Sequence, residues 1–189
     1  MKIAIIIGST RPGRKGEAVA RWVHDIAAKR GDAQYEIVDI ADFALPHMDE
    51  PFPPMMGRYS RPHSHVWAEK IASYDGFVFV TPEYNHAPGG ALKNAIDYLF
   101  AEWNHKAAAF VGYGASGGVR AVEHLRLILA NCAVATVRPQ VELSLFHDFA
   151  EMTHFTPGAH QEPAVGAMLD ELALWSDALK PIREAKAAV

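Results

Sequence analysis

The chain has 189 residues, half of them apolar, with 18 Lys and Arg against 22 Asp and Glu for a net charge of −4. That length is enough for one α/β domain spanning 1–189 with a full core. The near-balance of charge excludes the basic footprint of a nucleic-acid binder or a membrane-surface protein. A single cysteine, Cys132, excludes an internal disulfide, and no apolar run reaches the roughly 20 residues of a membrane span. The expectation is a cytoplasmic protein with neither nucleic acid nor membrane as partner.

The opening "MKIAIIIGST" reads as a strand, not a signal peptide, because its apolar core is short and no small-residue cleavage site follows. Ile3 to Ile7 is continuous in apolar residues and stops at Gly8, as a strand buried on both faces would. Val19, Trp22, Val23, Ile26 and Ala27 then recur at helical spacing, with Lys29 and Arg30 in the last turn and Gly31 as the stop. "QYEIVDI" alternates polar and apolar residues, the pattern of an edge strand. Trp67, Ile71 and Tyr74 mark a second helix, "FVFV" (77–80) a buried strand, "GGALKNAIDYLF" a third helix and "AAAFVG" (107–112) another buried strand. Val122, Leu125 and Leu129 give a fourth helix, "CAVATV" (132–137) the last strand, and Val165, Met168, Leu172, Trp175 and Leu179 a closing helix with Pro163 in its first turn. Strand and helix thus alternate throughout, which predicts an α/β doubly wound parallel sheet of five strands with helices on both faces. The polar face of the second strand puts it at an edge and favours the order 2-1-3-4-5. Cys132, at a helix-to-strand junction, reads as a small buried side chain.

In that topology ligands bind beyond the carboxyl ends of the strands, at the switch point between strands 1 and 3. The loop "GSTRPGRKG" (8–16) lies there and opens a helix, so free amides and partial positive charge converge on one spot. Ser9 and Thr10 add hydroxyls, Arg11 a planar fork, and Arg14 and Lys15 positive potential. That mix suits a terminal phosphate monoester better than a pyrophosphate, and no Gly-Lys-Ser/Thr triplet marks a nucleoside-triphosphate loop. A solvated basic turn is the alternative. Beside it, "TPEYNHAPGG" (81–90) offers the flat face of Tyr84 and the amide of Asn85, suited to a planar ring with carbonyls, although each is also an ordinary turn residue. The third loop, "GYGASGG" (112–118), contains a nominal G-x-G-x-x-G, but it does not follow the first strand and lacks the acid about twenty residues on. It reads instead as a flexible loop whose amides and Ser116 touch a ligand edge.

Together "GSTRPGRKG", "TPEYNHAPGGALKNAIDYL" and "YGASGGVRAVEHLR" resemble, in order and spacing, the motif blocks of the NAD(P)H-dependent FMN reductases, flavodoxin-like quinone and azo reductases. The resemblance implies FMN as cofactor, with its phosphate on Ser9, Thr10, Arg11 and the amides of Gly16 and Glu17. It implies the isoalloxazine against Pro82, Glu83, Tyr84 and Asn85, with Gly114, Ser116, Gly117 and Gly118 along its other side. The hydroxyl or amide side chain that many members carry near position 16 is absent here, which leaves backbone, with Arg14 to compensate. Implied too are NAD(P)H as co-substrate, hydride delivery to flavin N5, a diffusible quinone or azo acceptor, ping-pong order, and a homodimer or homotetramer. Leu92, Ile96 and Leu99 of the third helix either serve that interface or face their own sheet.

The Pro- and Met-rich segment 42–65 is long for a connection in this fold, and such loops are functional or disordered. Met55, Met56 and Tyr59 (with Arg58) would shape an acceptor pocket if it is a lid; the alternative is that it packs on its own subunit. The ten histidines are scattered with no ligand spacing, so no metal is expected. No G-x-S-x-G surrounds Ser116, and no catalytic side chain is expected, since a flavin carries its own chemistry. A flavodoxin-like electron carrier or redox sensor remains the competing reading.

Overall fold

A computed structural model describes residues 1–187. The strands β1 (Lys2–Ile7), β2 (Gln34–Asp39), β3 (Gly76–Pro82), β4 (Ala107–Gly114) and β5 (Ala135–Ser144) form one five-stranded sheet in the order β2-β1-β3-β4-β5. All four neighbouring pairs are parallel. The helices are α1 (Gly16–Ala27), α2 (Pro62–Ala72), α3 (Gly90–Asp97), α4 (Val119–Asn131) and α5 (Gln161–Ala187). Strand periodicity sorts them onto two faces. Ile3, Ile5 and Ile7 pack with Val19 and Val23 of α1 and Val165 and Met168 of α5. Ala4 and Ile6 point the other way, towards Trp67 of α2, Leu92 of α3 and Leu125 of α4. The predicted flavodoxin-like order is therefore present, with β2 at the edge.

Two details depart from the sequence reading. The last strand runs to Ser144, well past the predicted 132–137, and its register against β4 breaks between Ala108 and Phe110. Pro139 falls in the break, where its missing N–H costs no ladder bond. Trp175 is not part of the buried stripe of α5: it is 43% exposed, whereas Ser176 is fully buried. Ser176 fills that slot because Gly76 of β3 comes so close that a Cβ there would sit 2.4 Å from Ser176 Oγ. A tryptophan has no room at that crossing. Of the two alternatives for Leu92, Ile96 and Leu99, the structure shows the second: they are at most 2% exposed and belong to the chain's own core, so the first two spend α3's apolar face on the sheet below.

The 42–65 segment is ordered on its own chain. It starts within a 3₁₀ turn (Ile40–Phe43) and contains a second (Pro54–Met56). The Pro46 carbonyl accepts from Asn94 Nδ2 (2.7 Å) and Tyr98 Oη (3.1 Å), and Asp49 accepts from Tyr98 (2.9 Å). Tyr59 donates to Glu102 (2.8 Å) beyond the end of α3. Cys132 is buried where α4 ends, as expected. No helix among the described residues is long and apolar enough to cross a membrane.

At the opposite end of the sheet from the switch point, Lys106 is 5% exposed and donates to the last carbonyls of α2, Ile71 (2.9 Å) and Ala72 (3.2 Å). It caps the Ala72 carbonyl and shares that of Ile71 with the Tyr74 amide, helping to close the helix terminus. Burial, reinforced by Arg183, pulls its pKa down to about 7. The folded value lies below the unfolded one of about 10.4, so between the two the unfolded chain binds more protons. Stability from this group therefore rises as pH rises from 7 to 10, by up to about 1.4 kcal/mol per unit. Urea unfolding of wild type and Lys106→Met at pH 7, 8 and 9 will show that slope in the first and a flatter line in the second.

Candidate functional site

The chain leaves β1 at Gly8, whose amide donates to Val80 O of β3 (2.8 Å), and enters α1 through a helix start with no capping side chain. The first backbone bond of α1 runs from Val19 N to Lys15 O (3.3 Å), so the amides of Gly16, Glu17 and Ala18 remain open as donors. Oriented free amides at the positive end of a helix dipole bind anions.

Arg14 lies beside this space, but its guanidinium is engaged by the protein's own acceptors. Its Nη1 donates to the Ser9 carbonyl (2.9 Å), its Nε to Glu17 (3.0 Å), and its Nη2 pairs with Asp39 at the end of β2. The guanidinium is 12% exposed and is committed to folding the loop back on itself. Asp39 also caps the next turn by accepting from Ala41 N (2.9 Å). Arg11 is exposed, and among the described residues its guanidinium has no hydrogen-bond or ion-pair partner. The two arginines of the motif thus divide the work: one holds the loop, the other is available.

Two further loops close the site. Tyr84 and Ala87 exchange backbone bonds (2.9 and 3.1 Å) around Asn85 and His86, both with positive φ (48° and 73°). This is the geometry of a type I′ turn, and Asn is one of the few side chains that accept it. Tyr84 is left 38% exposed, and its hydroxyl shares a hydrogen bond with Ser9 Oγ (3.0 Å), tying this turn to the first loop. Glu83 is 6% exposed and pairs with Arg120, also accepting from the Arg120 amide (3.1 Å) at the start of α4. Arg120 in turn donates to Ser116 Oγ (3.2 Å). The glycines of 112–118 are packing devices. A Cβ on Gly112 would stand 2.6 Å from Gly117 O, and Gly118, at φ +73°, would collide with the Tyr113 amide. They let α4 start directly against the end of β4 and form no dinucleotide fingerprint.

A cleft of about 80 Å³ opens among these loops, lined by Arg11, Lys15, Pro82, Glu83, Tyr84 and Tyr113 with Gly114 and Leu145. A larger cavity of about 430 Å³ lies on the other side of the first loop, against Thr10, Ile40, Leu45 and Ala95. Its lining carries no cation, so the smaller cleft has the better chemistry for an anion. The structure brings Arg11, Arg14, Pro82, Glu83, Tyr84 and Gly114 together around one opening and sends Thr10 to the neighbouring cavity. Ser9 is buried beneath, bonded to Tyr84. Met55 and Met56 are exposed, and neither they nor Tyr59 line the cleft of their own chain. Asp39, Arg120 and Tyr113 were missed by the sequence reading. Asp39 had a signal, since β2 lies next to β1 and its terminal acid faces the basic loop.

An open 2-1-3-4-5 sheet with an uncapped, cation-flanked helix start at its switch point defines a flavodoxin-like fold with a candidate anion site. The chain belongs to the NADPH-dependent FMN reductase family, whose model matches residues 1–148. It is similar to an NAD(P)H-dependent FMN reductase of a Nectria species, 48% identical over 126 residues, 64% of this chain and 63% of that one. The chain thus spans less than two thirds of that relative's length. It is also similar to a quinone reductase of Pseudomonas putida, 30% identical over 187 residues, covering 92% of this chain and 93% of the other. In fold it resembles the flavoenzyme NAD(P)H:(acceptor) oxidoreductase FerB of Paracoccus denitrificans, with TM-score 0.72, 22% identity and coverage of 94% and 97%.

Removing the Asp39 carboxylate leaves Arg14 with one charged partner, in a place where both side chains are less than one fifth exposed. Asp39→Ala is expected to cost about 2–3 kcal/mol, read as a lower urea midpoint with unchanged slope.

Proposed function

We propose that the protein is an FMN-dependent NAD(P)H oxidoreductase that passes reducing equivalents to a diffusible acceptor such as a quinone or azo compound. The observation that carries this reading is the uncapped start of α1 with Arg11 beside it, its guanidinium unpaired among the described residues, opening on the cleft lined by Pro82 and Tyr84. FMN, when bound, would supply the capacity to take a hydride from a nicotinamide and release electrons singly or in pairs.

The chain's own residues bind and orient. The amides of Gly16 and Glu17 and the Arg11 guanidinium meet a phosphate dianion, for which charge-assisted bonds are strongest. Arg14 keeps those amides aimed by gripping the Ser9 carbonyl from behind. Pro82 and the exposed Tyr84 ring give a planar ring system a flat wall, while the Glu83–Arg120 pair fixes the adjoining loop. Asn85, in the turn after Pro82, and Ser116, bonded to Arg120, would meet the ligand's edges, and Gly117 and Gly118 shape the α4 start. The small cleft supports successive occupancy by nicotinamide and acceptor, a ping-pong order. The reading includes a cytoplasmic homodimer or homotetramer. In it Met55 and Met56, exposed on one chain, reach an acceptor only across an interface with a second copy; Tyr59 stays committed to Glu102.

The test is the visible spectrum of the purified full chain, followed by NADPH under anaerobic conditions. Flavin bands that bleach at once bear the reading out; a flavin that stays oxidised points to an electron carrier, and a chain that neither carries nor takes up FMN sinks it. Arg11→Ala should weaken FMN retention about 10–100-fold, the value of one charged hydrogen-bonded contact. Its melting temperature should not move, because the side chain is exposed.

A further inference from the structure

Tyr113 occupies the penultimate position of β4, and its ring lies under the start of α1, packed against Phe149 with 6.4 Å between centroids. The residue is 5% exposed, and among the described residues its hydroxyl oxygen has no hydrogen-bond partner. Ser9 Oγ and the Gly16 amide approach that oxygen and favour its charged form, but neither reaches hydrogen-bond geometry with it. Buried hydroxyls are almost always paired, and one left open costs about 1–3 kcal/mol. An orphan beside the loop that lines the anion cleft has a ready partner in an anion.

Gly16 supplies the second observation. A Cβ there would stand 3.0 Å from Tyr113 Oη and 3.3 Å from Ile7 Cγ2. The hydroxyl therefore occupies the space in which a side chain at position 16 would begin. Glycine at the first position of a helix brings no propensity advantage; here its lack of a side chain lets a tyrosine on another element reach the helix terminus. Burial raises the Tyr113 pKa, which keeps the proton on the oxygen and available for donation.

We propose that the Tyr113 hydroxyl, admitted by Gly16, is a hydrogen-bond donor to the phosphate bound at the start of α1, and so sets the preference for a phosphorylated flavin over an unphosphorylated one. This rests on the proposed function, because the anion in question is the FMN phosphate. Ser9 stays with Tyr84, Arg14 stays with Asp39, and Tyr113 supplies the donor from beneath that neither provides.

The measurement is equilibrium dialysis of the full chain against FMN and, separately, against riboflavin, which has the same ring and no phosphate. Wild type is expected to prefer FMN. Tyr113→Phe is expected to reduce that preference about 10–100-fold through FMN alone, with riboflavin affinity unchanged. Adding Gly16→Ser to that variant puts a hydroxyl back into the vacated space and is expected to restore a good part of the preference. Should Tyr113→Phe fail to fold, Gly16→Ala gives the same information, since its methyl group displaces the hydroxyl and the preference must fall. An unchanged preference in either variant, or an equal loss for both flavins, overturns the inference while leaving the flavin reading intact. A wild-type chain that binds neither flavin overturns both.

Discussion

The site depends first on the way Arg14 is fastened. Its guanidinium holds the Ser9 carbonyl, Glu17 and Asp39 together, linking the end of β1, the first turn of α1 and the end of the edge strand β2. The loop it spans contains a proline and a left-handed glycine (Gly13, φ +68°) and has little apolar contact of its own. Without that anchor the amides at the start of α1 would have to be ordered when a ligand arrives, and their affinity would fall by the entropy of that ordering. With it they are aimed in advance. Arg14 lines the cleft, yet its guanidinium is spent on holding the loop.

The same economy governs the other two loops. Glu83 closes the start of α4 through Arg120, and Gly112 allows the backbone of Gly117 and Gly118 to lie directly on β4. Both arrangements consume polar groups that look ligand-facing in isolation. The Ser9–Tyr84 hydrogen bond then couples the anion loop to the flat wall of the cleft. A ligand spanning the two meets loops already held at a fixed separation.

Much of this was legible in the sequence, for identifiable reasons. Continuous apolar runs such as Ile3–Ile7 and Phe77–Val80 are unambiguous in a parallel sheet, because burial on both faces leaves no alternation to misread. The edge character of β2 showed in its polar face. β5 was harder: beyond the apolar 132–137 its polar residues alternate with Val141 and Leu143, and Pro139 sits where the strand merely shifts register. Trp175 misled because hydropathy favours it over Ser176, while the deciding quantity is the distance to Gly76 on another element. At the site, residue types were informative and roles were not. Arg11 and Arg14 are chemically identical, and only the neighbourhood of Asp39, 25 residues away in sequence from Arg14, separates the available one from the committed one.

That division also explains where specificity resides. Behind the cleft the polar groups are largely fixed: Arg14 by its three acceptors, Glu83 by Arg120, Ser9 by Tyr84. Arg11 and the ring of Tyr84 are the exposed elements at the mouth. A rigid floor discriminates sharply between ligands that do and do not match its donors, because a mismatch leaves buried groups unpaired. A mouth made of one free guanidinium and one flat ring imposes little shape on what approaches. Under the proposed reading the site is therefore selective at the anion end and permissive at the open end. One tightly held group and a range of small planar visitors is the combination such a gradient favours.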